Sequence, residues 1–159
     1  MRILLTAINA KYIHSNLAVY SLKGSAGKYE PLVELAEYTI NHQMEEIFAG
    51  IYRRKPELLL FSCYIWNRRE VVETAESIKK VLPDVKIWAG GPEVSYDAKR
   101  FLKENPAFDG VMIGEGERTF YRLLDYYIGK NGTLEQIPGI GAVRRKALIA
   151  AFGSVEAIK

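Results

Sequence analysis

The chain is poor in cysteine and histidine: its 159 residues include one cysteine, Cys63, and two histidines, His14 and His42. A lone cysteine excludes an internal disulfide and any zinc or iron–sulfur site built from several thiolates of this chain. Long apolar runs are missing too. Nothing approaches the roughly 18 consecutive apolar residues of a membrane span. The opening stretch, Met1 to Asn9, lacks a small-residue cleavage site and reads as a first strand, not a secretory signal. Nor does one sign of charge dominate, since 22 Lys and Arg face 19 Asp and Glu for a formal net charge of +3. Arg144, Arg145, Lys146 and Lys159 face only Glu135 and Glu156 in residues 134–159, so a nucleic-acid partner has to be sought in that tail. Gly-x-Gly-x-x-Gly is absent after strand one, where Asn9-Ala10-Lys11 stands, which argues against a dinucleotide-binding enzyme. What is present, 48% hydrophobic and 26% charged residues, suits a globular domain, and the expected compartment is cytoplasmic.

Strand-like and helix-like periods alternate along residues 1–130. Strands are predicted near Arg2–Ile8, Leu32–Tyr38, Leu58–Ser62, Lys86–Ala89 and Gly110–Ile113. The run Leu58-Leu59-Leu60-Phe61 is continuously apolar, the mark of a strand covered on both faces. Helices are predicted from about Ser15, after an N-cap at Asn41, over Arg69–Leu82, Tyr96–Glu104 and Arg118–Ile128. Repeated βα units imply a parallel sheet with right-handed crossovers. The length suits a flavodoxin-like, doubly wound, five-stranded parallel sheet of order 2-1-3-4-5. After Gly129-Lys130-Asn131-Gly132 the character changes. Residues 131–159 are expected to form a small helical hairpin without a strand.

Two strands run directly into glycine-rich turns, Gly90-Gly91-Pro92-Glu93 and Gly114-Glu115-Gly116-Glu117. Glycine there lets backbone amides approach a ligand, and the carboxyl edge of an open α/β sheet is where ligands bind. Each turn also has a plain alternative, a tight βα connection or a helix start favoured by acidic residues. Cys63 has no base partner in sequence and is expected to be an inert, half-buried thiol.

Four segments together carry a resemblance. They are residues 5–16 (Leu-Thr-Ala-Ile-Asn-Ala-Lys-Tyr-Ile-His-Ser-Asn), residues 61–67 (Phe-Ser-Cys-Tyr-Ile-Trp-Asn), Gly90–Glu93 and Gly114–Glu117. Over roughly residues 1–130 the sequence resembles the cobalamin-binding domain at the front of many radical S-adenosylmethionine proteins. That resemblance implies a corrinoid lying on the carboxyl edge of the sheet. The broader family pattern has Asp-x-His-x-x-Gly after strand one, a Ser-x-Leu-like segment after strand three and a Gly-Gly pair after strand four. Ser62-Cys63-Tyr64 loosely matches the second, and Gly90-Gly91 the third. His14 stands where the histidine would, but Tyr12 replaces the aspartate and Leu17 the glycine. The resemblance therefore implies a site without a protein histidine on cobalt, with His14 beside the pocket.

A corrin is a broad apolar disc with amide arms. Asn9, Asn16, Ser62, Asn67 and the amides of Gly91 and Gly114 are candidate partners for those arms, and Tyr12, Tyr64 and Trp66 are candidate walls. His14, Gly90, Pro92, Glu93, Glu115 and Gly116 complete the expected cofactor site. Ser62, Ala89 and Gly90 are small enough to leave a slot for the nucleotide tail. Tyr64 and Trp66 have an alternative role as helix-packing aromatics.

The tail carries a second resemblance. Residues 134–148, with Pro138-Gly139-Ile140-Gly141 at their centre and Arg144, Arg145 and Lys146 behind, look like a helix-hairpin-helix unit of bacterial excision-nuclease subunits. Such a unit offers Gly139 and Gly141 amides to a DNA phosphate, with the three basic residues adding charge. The alternative is a helical cap packed on the main domain. The leading expectation is a cobalamin-binding module without the three-cysteine cluster domain that accompanies it in radical proteins. Weak, non-specific DNA binding and a scaffold that kept fold but not ligand are the other two. A chimeric or trimmed chain and a stand-alone carrier both remain open as its origin.

Overall fold

A computed structural model describes residues 1–11 and 15–144. Six strands form one sheet in the order β2-β1-β3-β4-β5-β6. They are β1 (Ile3–Asn9), β2 (Val33–Thr39), β3 (Leu58–Ser62), β4 (Lys86–Gly90), β5 (Gly110–Met112) and β6 (Ile140–Val143). The first five are parallel, with Leu5 of β1 level with Leu35 of β2 and Leu60 of β3. The helices are α1 (Leu17–Ser25), α2 (Met44–Arg54), α3 (Arg68–Val81), α4 (Pro92–Ser95), α5 (Ala98–Glu104) and α6 (Glu117–Tyr127).

Side chains alternate across the sheet, as strand geometry requires. Leu4, Ile8, Leu59, Phe61, Ile87, Ala89 and Val111 share one core with Ile47 and Ile51 of α2, Val71, Ala75 and Ile78 of α3, and Phe101 of α5. Ile3, Leu5, Ala7, Leu58, Leu60, Trp88 and Met112 share the other with Val19 of α1 and Phe120, Leu123 and Leu124 of α6. Burial on both faces is why β3 is apolar without interruption. The two cores tie the helices to opposite faces, so the loops at the strands' carboxyl ends are held from both sides.

Local chemistry corrects several boundaries. Helix α2 is capped from Gln43 and not from Asn41: the Glu46 carboxylate accepts the Gln43 N–H at 3.0 Å, and the Gln43 backbone is extended. Asn41 instead sits in a turn where its N–H donates to Thr39 Oγ1 at 3.2 Å. The helix expected over Tyr96–Glu104 starts later, at Ala98, because Asp97 leaves helical geometry and caps α5 by accepting the Arg100 N–H at 3.2 Å, and the separate short α4 precedes it.

The largest correction concerns the tail. Residues expected to be hairpin and helix form a short 3-10 turn, Leu134–Gln136, and then β6, which pairs antiparallel with β5. The sheet therefore has six strands and not five. Gly139 sits at φ 86°, and a Cβ there would lie 2.1 Å from Thr119 Oγ1, while one on Gly141 would lie 2.5 Å from the Ile113 side chain. The Ile113 N–H donates to the Gly139 carbonyl at 2.7 Å, and Thr119 Oγ1 donates to the Pro138 carbonyl at 2.7 Å. These glycines are required by close packing against α6 and β5. Four residues are too few for strand period to stand out from helix period, which is why the pattern resembles a hairpin.

Candidate functional site

A cleft of about 580 Å³ opens at the carboxyl ends of β1, β3, β4 and β5. Its mouth is formed by Ser62, Tyr64, Gly90, Gly91, Pro92, Ser95 and the turn Gly114-Glu115-Gly116-Glu117. Below it lie Leu5, Leu60 and Met112 of the sheet and Val19 and Leu22 of α1, with the exposed Ala18 at the rim. Leu60 lies two residues below Ser62, about 7 Å at strand rise. Polar groups thus ring the entrance, and the interior is apolar.

The two adjacent glycines differ in kind. Gly91 has φ 108°, and a Cβ would come within 2.5 Å of the Cys63 carbonyl oxygen. The β3 and β4 loops touch there: the Cys63 N–H donates to the Gly90 carbonyl at 2.7 Å. Gly91 is needed by the chain itself. At Gly90 a Cβ would meet nothing nearer than 3.7 Å, and at Gly114 nothing within 4 Å. The missing side chain of Gly90 instead keeps the cleft open.

Asn16 caps α1 by accepting the Ala18 and Val19 N–H groups at 3.1 and 3.4 Å, and its amide donates to Ser62 Oγ at 3.3 Å. Asn9 Nδ2 donates to Glu37 Oε2 at 2.8 Å. Asn67 is fully buried. Its amide donates to the carbonyls of Ile8 and Ser62 at 2.9 and 3.0 Å, and its oxygen accepts the Tyr64 N–H at 2.8 Å. It ties the β1 and β3 loops together beneath the mouth and does not line the cleft. Glu93 is likewise turned to protein, accepting from Arg68 Nη1 at 3.0 Å. Tyr64 and Trp66 stack on each other with centroids 4.5 Å apart. Ala89 belongs to the core on the opposite face, so it leaves no room for a tail, whereas Ser62 and Gly90 do line the cleft. Tyr12 and His14 lie outside the described residues.

The Cys63 thiol is buried, and desolvation, with a smaller push from Glu93, raises its pKa to about 12. It is protonated and inert at neutral pH. The expectation of a half-buried thiol understated its burial.

The interior wall, Leu5, Val19, Leu22, Leu60 and Met112, has no signature of a site in the sequence. Its signal is ordinary core alternation, which does not distinguish a side chain packed on a helix from one facing a cleft.

Of the residues expected to contact DNA, the three that are described are otherwise engaged. Gly139 and Gly141 are packed as above. The Arg144 guanidinium donates to the Phe108 carbonyl at 2.9 Å and to the carbonyls of Leu102 and Asn105, so it faces the body of the domain. Arg145 and Lys146 lie outside the described residues.

The fold and this cleft define a ligand-binding doubly wound domain open at its carboxyl edge. The sequence profile of the B12 binding domain matches residues 3–124, and the chain belongs to that family. It is 34% identical over 102 residues to the cobalamin-dependent radical SAM methyltransferase TokK of Streptomyces tokunonensis, covering 64% of this chain and 14% of that protein. It is 32% identical over 88 residues to the hopanoid C-3 methylase of Methylococcus capsulatus, covering 54% of this chain and 17% of that protein. The chain therefore matches only a small part of the length of these curated relatives. Among solved structures, the radical enzyme OxsB with aqua-cobalamin and S-adenosylmethionine bound superposes with TM-score 0.67 at 20% identity, over 91% of this chain and 21% of that one. A cobalamin-binding protein from Desulfitobacterium hafniense DCB-2 superposes with TM-score 0.57 at 13% identity, over 80% and 60%. Among the described residues, no helix is long and apolar enough to cross a membrane.

Proposed function

We propose that the chain binds cobalamin with the nucleotide tail in the apolar cleft and the corrin across its mouth, without a protein histidine on cobalt. The observation that carries this reading is the cleft itself, polar at the entrance, apolar within, and kept clear by a glycine that the fold does not need. The lining is of a kind that fits the group: Ser62, Ser95 and the Gly91 and Gly114 amides would serve corrin amide arms as partners, and Leu5, Leu60 and Met112 would offer apolar walls to an aromatic base. Asn16 holds the α1 wall, Asn67 holds the mouth, and the buried sheet behind excludes water. The aspartate that orients a cobalt-bound histidine has no counterpart at Tyr12, which supports a site without that ligand. Bound cobalamin supplies methyl-carrier chemistry; this chain's residues bind and orient it.

The likeness to TokK and the hopanoid methylase supports a second tier: the chain is the cofactor-bearing module for a radical S-adenosylmethionine methyltransferase domain. Leu17, Ile65 and Tyr96, each next in sequence to a cleft-lining residue, are 80%, 80% and 98% exposed. Such a surface suits a covering domain.

Hydroxocobalamin titration of the purified chain tests the first tier. Expected are a shifted visible spectrum, co-elution of pink cofactor on sizing, and loss of both in Gly90→Phe with an unchanged circular dichroism spectrum. A wild-type chain that stays colourless sinks the reading.

A further inference from the structure

Both ends of the connection between β1 and α1 converge on one carboxylate. Glu37 Oε2, on the outermost strand β2, accepts from Asn9 Nδ2 at 2.8 Å and from the Asn16 backbone N–H at 3.0 Å. Asn9 closes β1, and Asn16 caps α1. The Tyr20 hydroxyl, one turn into α1, also favours the ionised carboxylate. Burial pushes the Glu37 pKa up, but the bonds from Tyr20, Asn16 and Asn9 together outweigh it, and the net direction is down. An acidic residue on an edge strand ordinarily faces water and guards the edge against pairing with another chain. This one accepts from two donors, one at each end of the connection.

The consequences reach the cleft. Asn16, once held by its N–H, spends its side-chain oxygen on the first turn of α1 and its amide on Ser62 Oγ at 3.3 Å. Ala18, Val19 and Leu22 of that helix form one wall, and Ser62 lies at the mouth. We propose that Glu37 is a positioning residue for the corrinoid cleft: it staples the β1–α1 connection at both feet and thereby sets the α1 wall against the mouth at Ser62. It touches no ligand. The inference rests on the cofactor reading above for its functional meaning, though not for its geometry.

Reach and charge make separable predictions. Glu37→Gln keeps the length and an acceptor oxygen able to take both bonds, and removes the charge. Glu37→Asp keeps the charge but is one methylene short of both donors. Glu37→Ala removes everything. The experiment measures hydroxocobalamin affinity and amide hydrogen exchange on the full chain for all four proteins. Expected are affinity within about twofold of wild type for Gln and a loss of about tenfold or more for Asp and Ala. Faster exchange at Asn16, Ala18 and Val19 should appear in Asp and Ala only, while the central strands keep their protection. If Asp behaves as wild type and Gln as Ala, charge and not reach is at work, and the proposal fails. Unchanged exchange in Ala, or faster exchange with unchanged affinity, also overturns it. Should the wild type bind no corrinoid, the cofactor reading is lost, and the exchange arm alone still decides whether Glu37 is the staple.

Discussion

Gly91 shows how sharply a single position can be constrained. At φ 108°, and with the Cys63 carbonyl oxygen only 2.5 Å from where a β-carbon would stand, alanine requires the β3 and β4 loops to part. Gly91→Ala should lower stability by about 2–3 kcal/mol and weaken corrinoid binding, read by urea melts and the titration. Cys63 beside it makes a pH prediction. Its folded pKa is raised from 9.0 to about 12, so its contribution is intact below about pH 9 and is lost as pH rises toward 12, because only the unfolded thiol ionises in that window. Melts across that range should show a downward slope that Cys63→Ala flattens. In the native protein the thiol should resist iodoacetamide at pH 8 and react only in denaturant.

The cleft belongs to the scale of elements, since β1, β3, β5 and α1 each contribute one apolar wall. The lining residues contributed by β1, β5 and the body of α1, Leu5, Met112, Val19 and Leu22, are apolar, as is Leu60 of β3. A purine base entering there would bury an exocyclic amine without a partner, at a cost of about 1–3 kcal/mol. Cobamides with dimethylbenzimidazole should therefore bind roughly 5- to 150-fold tighter than the adenine form, as measured by competitive titration; equal affinities would place the tail elsewhere. At this scale the five parallel strands are legible from sequence because βα alternation and the apolar run of β3 each have one physical reading. The mouth is legible too, through glycines after β4 and β5. The walls are not, because Leu60 facing a cleft and Leu59 facing a helix obey the same alternation. The roles of Asn67 and Glu93 are also hidden: a polar residue near a site looks the same in sequence whether it meets a ligand or a backbone carbonyl.

For the molecule as a whole, β6 matters most. By pairing with β5 it covers an edge that would otherwise offer unpaired backbone groups, and Arg144 fastens its end to three carbonyls. A chain ended at residue 130, where the sequence suggests a boundary, loses β6 and should melt at lower temperature and aggregate, as read by thermal melts and light scattering. Arg144→Ala should cost about 1–3 kcal/mol, by leaving those carbonyls without their donor. Sequence hides this because glycine, isoleucine and arginine serve a phosphate-binding hairpin and a packed edge strand equally well; only the contacts with Thr119 and Ile113 separate the two.

Gly90 and Gly91 stand side by side yet answer to different pressures. If Gly90 clears the cleft for a cofactor as proposed, a descendant that gave up that cofactor would be free to drift there, while Gly91 would still be policed by foldability. Neighbouring codons would then record, long after the event, whether such a lineage had abandoned its vitamin.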